Sequence, residues 1–175
     1  ALRAAAGAAG GAGRTERDRA ASAIEKALRT EADPRVRLAA FDLLRALGTE
    51  RALDRVAAAA LDPAGEVRAH LRALLRERAD PALFAAVVRA LREDASWRMR
   101  AAMVEMLLGA ARRSSISPLV DALADPHPAV VSAAAEALER LTGEPLGADA
   151  EAWRRHFAGE AKRASQGMNL SLVRV

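Results

Sequence analysis

The side chains with chemistry to offer are three histidines, His70, His127 and His156, and a large set of arginines; cysteine and tyrosine are absent. Zinc and di-iron helices space their donors one turn apart, so that two side chains aim at one ion. No histidine here has a histidine at i+4 or the paired carboxylate pattern of such a helix. Nothing matches a nucleophile elbow, and no hydroxyl, imidazole and acid group together in the sequence. The absence of cysteine removes disulfides, thiolate metal sites and cysteine nucleophiles, and leaves the compartment open, with the cytoplasm favoured. Gly7, Gly10, Gly11 and Gly13 follow no predicted strand and precede no Gly-Lys-Ser/Thr, so they do not form a phosphate loop. The expectation is therefore no catalytic residue, no metal, no cofactor and no enzymatic activity.

The arginines point to binding instead. Net charge is +4 and rests almost wholly on arginine, since Lys26 and Lys162 are the only lysines. Such a balance suits an acidic partner: nucleic acid, an anionic membrane or an acidic protein. The plainer reading is a bias toward Ala, Arg and Gly throughout, because acidic residues are interspersed nearly everywhere. Arg68, Arg72 and Arg76 follow at i, i+4 and i+8 and form one cationic stripe on a helix. The competing reading of that stripe is a solvated face.

These residues sit on a recurring frame. An acidic residue or Asp-Pro is followed by a hydrophobic residue, usually by Arg, and then by an apolar helical stripe. The copies start at Asp33-Pro34, Asp62-Pro63, Asp94 and Asp125-Pro126. Their anchors Val36, Val67, Met99 and Val130 stand 31, 32 and 31 residues apart. A fixed period of this size signals stacked supersecondary units. After Val36 the apolar positions are Ala39, Ala40, Leu43, Leu44 and Leu47, the spacing of one helix face, and Gly48 then ends the helix. The later copies repeat those offsets, with His70 where the others have Ala. His70 reads as a satisfied interior or rim histidine. Met99, Met103 and Met106 read as adaptable core, and Trp97 as packing between repeats, with a partner contact as the alternative. Shorter helices over about 50–61, 81–92 and 116–124 alternate with these. Small residues at offsets 3 and 4 would let helices approach closely.

At 175 residues the chain fits one domain. Its Ala- and Leu-rich composition predicts an all-α fold. No apolar run of membrane-spanning length occurs. Residues 1–13 read as an Ala/Gly-rich linker without the h-region of a signal peptide. A first helix is expected from an N-cap at Thr15 to about Thr30. The chain begins at Ala1 rather than Met, which reads as a processed or excised fragment. Residues 143–163 read as a terminal cap, with Asp149 as N-cap and Trp153 and Phe157 covering the last repeat. In the tail, 164–175, Met168, Leu170 and Leu172 alternate and Val173 and Val175 add β-branched character. That tail suits strand addition to a partner or packing back on the array.

The pattern Asp-Pro-x-x-x-Val-Arg-x-x-Ala-Ala-x-x-Leu resembles the HEAT repeat, particularly the short bacterial variety also found in phycobilin lyases. Asp125-Pro126-His127-Pro128-Ala129-Val130 with Ala133, Ala134, Ala137 and Leu138 fits it best, although Val131 replaces the Arg. The resemblance implies a right-handed α-solenoid of about four helix pairs over 14–142, followed by the capping helix. It implies that Arg37, Arg68 and Arg100 pair with the Asp of an adjacent repeat. It also implies that second helices line a concave face, which would place Arg37, Phe41, Arg45, Arg68, Arg72, Arg76, Arg100 and Val104 at a partner-binding surface, with a weaker acidic end near Glu136 and Glu139. The expected function is a scaffold or assembly subunit binding a protein with an acidic or amphipathic segment, through this face and the tail. A nucleic-acid-binding protein using the arginine face is the first alternative, and a bilin lyase-like protein the second. The paired His-Glu motifs of HEAT-like iron hydroxylases do not occur.

Overall fold

The computed structural model describes residues 13–77 and 80–165. Residues 1–12 of the expected linker, and the tail positions Met168, Leu170, Leu172, Val173 and Val175, lie outside them. The described residues form nine α-helices and two short 3-10 turns, with no strand. The helices are α1 (Arg14–Leu28), α2 (Pro34–Leu47), α3 (Glu50–Ala57), α4 (Gly65–Glu77), α5 (Pro81–Glu93), α6 (Trp97–Ala110), α7 (Ile116–Ala122), α8 (Pro128–Thr142) and α9 (Ala150–Ser165). The 3-10 turns are Ala58–Leu61 and Arg113–Ser115. This is the all-α, helix-pair repeat that the period predicts. The chain divides into two compact units between Ala90 and Leu91, within α5.

In the first unit α2 packs on α1, α3 and α4. Its core holds Ile24, Leu44, Leu47, Val56, Leu71 and Leu75. Asp33 caps α2 by accepting a hydrogen bond from the Arg35 N–H, and Pro34 takes the first helical position, where no N–H is needed. Gly48 ends the helix with φ +64°, a conformation a Cβ disfavours. Asp62-Pro63 differs: α4 starts at Gly65, so the pair forms the turn before the helix rather than its first residues. Helix α1 starts at Arg14 and not after an N-cap at Thr15. The carboxylate of Glu16 reaches back to the Gly13 N–H at 3.2 Å, which ties down the entry one residue earlier.

In the second unit α8 packs on α6 and α7, and α9 packs on α7. Met103, Met106, Leu107, Leu119 and Leu138 form its core. His127, not Asp125, caps α8, its Nδ1 accepting from the Ala129 N–H at 3.2 Å. Asp149 accepts from the N–H groups of Glu151 and Ala152, both at 2.9 Å. Trp153 is fully buried, donates from Nε1 to the Gly147 carbonyl, and stacks on Phe157 at 5.7 Å.

The buried arc of the second helices is rotated from the one expected. Offset 4, at Ala40, Leu71, Met103 and Ala134, is buried in every copy. Offset 3 is not, and Ala39 is exposed. That position is small only in the first and fourth copies, at Ala40 and Ala134, so close approach there is confined to those two.

Candidate functional site

The Val-Arg arginines share one local geometry. Nη1 of Arg37 donates to the carbonyls of Glu31 and Ala32, that of Arg68 to those of Asp62 and Pro63, and that of Arg100 to those of Asp94 and Ala95. Each guanidinium thus closes the turn that precedes its own helix. Two of them also reach forward to the next copy. Arg37 donates from Nε and Nη2 to the two carboxylate oxygens of Asp62, both at 2.8 Å. Arg100 does the same to Asp125 at 2.6 and 2.9 Å. Such bidentate pairing is the strong form of the Arg–carboxylate bond. Asp62 and Asp125 also accept from the N–H two residues on, at Ala64 and His127.

The electrostatics follow. Burial of Asp62 opposes its ionisation, but the hydrogen bonds from Arg37 and the Ala64 N–H, with the charges of Arg37 and Arg68, hold its carboxyl below the usual carboxylate range. At Asp125 the hydrogen bond from Arg100 leads and outweighs burial, with the same downward result. The guanidinium groups of Arg37 and Arg100 are pushed up by the same hydrogen bonds.

This geometry corrects half of the expected binding strip. Arg37 and Arg100 are buried and used in pairing between repeats. Phe41 and Val104, at offset 5, are core residues 6% and 1% exposed, so the apolar part of the strip does not reach the surface. The reason is that a second helix packs on both its partner and its neighbours, and its buried sector is wider than a single apolar stripe. Arg45 lies half-buried with Nη1 3.5 Å from Asp80, and its Nε is buried without a hydrogen-bond partner. Arg68, Arg72 and Arg76 remain on the surface of α4, the first two half-buried and the third exposed. The Arg72 side chain makes no ion pair or hydrogen bond among the described residues.

The histidines are all engaged. His70 Nε2 lies 3.0 Å from Asp42 Oδ1. His127 stacks on Trp97 with ring centroids 4.2 Å apart and planes within 4°, and Arg98 lies over the same indole at 4.7 Å. His156 Nε2 is 3.4 Å from Glu160, a buried carboxylate whose second oxygen has no partner. The sequence carried the i, i+4 spacing of that last pair, but an isolated spacing does not disclose burial. Among the described residues no three His, Asp or Glu side chains gather as an ion site, and no helix is long and apolar enough to cross a membrane.

Helix pairs joined through a buried Arg–Asp connection define a class, the α-helical repeat proteins. Within it, residues 84–151 match the family model described as HEAT repeats. The Asp33–Asp62 copy shows the same turn closure and the same bidentate pair outside the matched stretch. No curated protein matches the chain.

Proposed function

We propose that this is a non-enzymatic interaction scaffold whose α4 surface binds an acidic or amphipathic segment of another protein. HEAT repeats commonly serve as protein-interaction scaffolds, which supports the broader part of this reading. The observation that carries the finer part is the Arg68–Arg72–Arg76 stripe. Arg68 is held in place by two backbone carbonyls, which fix its position and leave its charge in excess. Arg72, one turn on, has no ion pair among the described residues. Aligned guanidinium groups suit carboxylates, which they bind in a bidentate fashion.

The test is affinity capture from the source cell with the parent chain and with Arg68→Glu, Arg72→Glu, Arg76→Glu combined, followed by titration of each purified captured protein. The parent is expected to bind an acidic protein that the variant loses. Equal affinity for both would remove α4 as the surface. A captured nucleic acid, with affinity falling steeply as salt rises, would favour phosphate binding by the same arginines.

A further inference from the structure

We infer that the second unit carries a docking groove for a short peptide that presents one bulky apolar side chain next to an acidic residue. The groove lies between α7 and α9, encloses about 320 Å³, has a floor of Ile116, Val120 and Phe157, and is rimmed by Arg113 and Arg154. That volume is at the lower end of ligand pockets, which run from about 300 Å³ upward, and suits one anchor side chain with adjoining backbone.

Three features select this occupant. Ile116 and Val120 stand one turn apart on α7, so their side chains share a face. Phe157 is held from behind by Trp153, itself fixed by its hydrogen bond to Gly147, so the floor is preformed and little ordering is lost on binding. The rim is cationic in balance. Asp121 is paired with Arg92 at 2.9 Å, and Arg154 is paired with Glu151 on its own helix, where both are largely exposed. Arg113 is exposed, and its side chain makes no ion pair or hydrogen bond among the described residues. An acidic residue beside the anchor would complete it. Phosphate-driven nucleic-acid binding has no need of an apolar floor, which favours a peptide. The groove lies apart in sequence from α4, and its occupancy does not depend on the arginine stripe.

The test titrates the whole chain, labelled with 15N, with the capped peptide Gly-Phe-Asp-Glu-Gly and with versions carrying Ala for Phe or Asn-Gln for Asp-Glu. The parent peptide is expected to shift the amides of 113–122 and 150–157 and the Trp153 indole, with both altered peptides about tenfold weaker. Arg113→Glu, on an exposed turn, should weaken binding by about the same factor. Ser117→Trp should block the groove; if it disturbs folding, Arg113→Glu alone decides. No shifts at about 1 mM peptide, or shifts indifferent to Arg113→Glu and to loss of Phe, overturn the proposal. Oligothymidylate moving the same amides where the peptide does not would overturn it in favour of nucleic acid.

Discussion

Asp125 holds two structures together with one carboxylate, its own turn through the His127 N–H and the preceding repeat through Arg100. Replacing it by Asn leaves the guanidinium half-served in a buried site, at a cost of about 2 kcal/mol, read as a lower urea midpoint. Acid should reproduce part of this effect. Asp62 and Asp125 titrate lower in the folded chain, so the stability they give is complete above the unfolded Asp value of about 3.9 and fades as pH falls through the lower folded value. The urea midpoint of the parent is expected to fall below about pH 4, and that of Asp125→Asn to fall less steeply; parallel curves would exclude the pair from the acid response. A second residue works against the fold. Ala111 ends α6 at φ +48°, in the left-handed region where Gly48 and Gly143 end α2 and α8. Ala111→Gly should raise stability by about 0.5 kcal/mol, seen as a melting temperature about 1–2 °C higher.

At the scale of elements, the close contact of the second helices rests on offset 4. Ala134 is fully buried in α8, which packs on α6 and α7. Ala134→Leu is expected to cost roughly 1–3 kcal/mol by overpacking, and a melt matching the parent would disprove it. Helix α9 depends on Trp153, whose replacement by Ala should cost about 3–5 kcal/mol and release amide protection in α9 and α7 before α8 in hydrogen exchange. Much of this was legible from sequence. Gly48, the Asp-Pro turns, Asp149 and the Trp153–Phe157 spacing each have a local cause that composition and position disclose. The orientation of each helix was not. Phe41 and Val104 lie where a single amphipathic stripe leaves the surface, yet packing against neighbours buries them. Their placement depends on what packs beyond the helix, which no local pattern encodes. The α7–α9 groove was hidden for the same reason, since Ile116 and Phe157 are far apart in the chain.

For the molecule as a whole, the helix pairs make their main contacts with near neighbours in sequence, as α2 does with α1, α3 and α4, and α8 with α6 and α7. Contacts of short range lower the entropy lost before they form, so the main refolding phase at 25 °C is expected within milliseconds, measured by stopped-flow circular dichroism. A main phase of seconds, after the slow proline phases are separated, would contradict this. The charge balance acts at the same scale. The cationic excess of the full chain, +4, falls within residues 1–90, the first unit, while pairing between repeats consumes Arg37 and Arg100. The proposed partner surfaces, on α4 and at the rim formed by Arg113 and Arg154, use arginines outside those two pairs.

The double role of Asp125 also sets where the chain can be lengthened. A segment from Ala95 to Asp125 contains one complete plug, Arg100, and one complete socket, Asp125. Copied in frame directly after itself, it supplies its own connection and hands an unchanged turn to Pro126. Mean helicity per residue is expected to stay level in that duplicate, and a fall would show that the connection needs more than this pair. A gene encoding such a chain can thus grow by whole repeats in one step, with no compensating mutation at the junction.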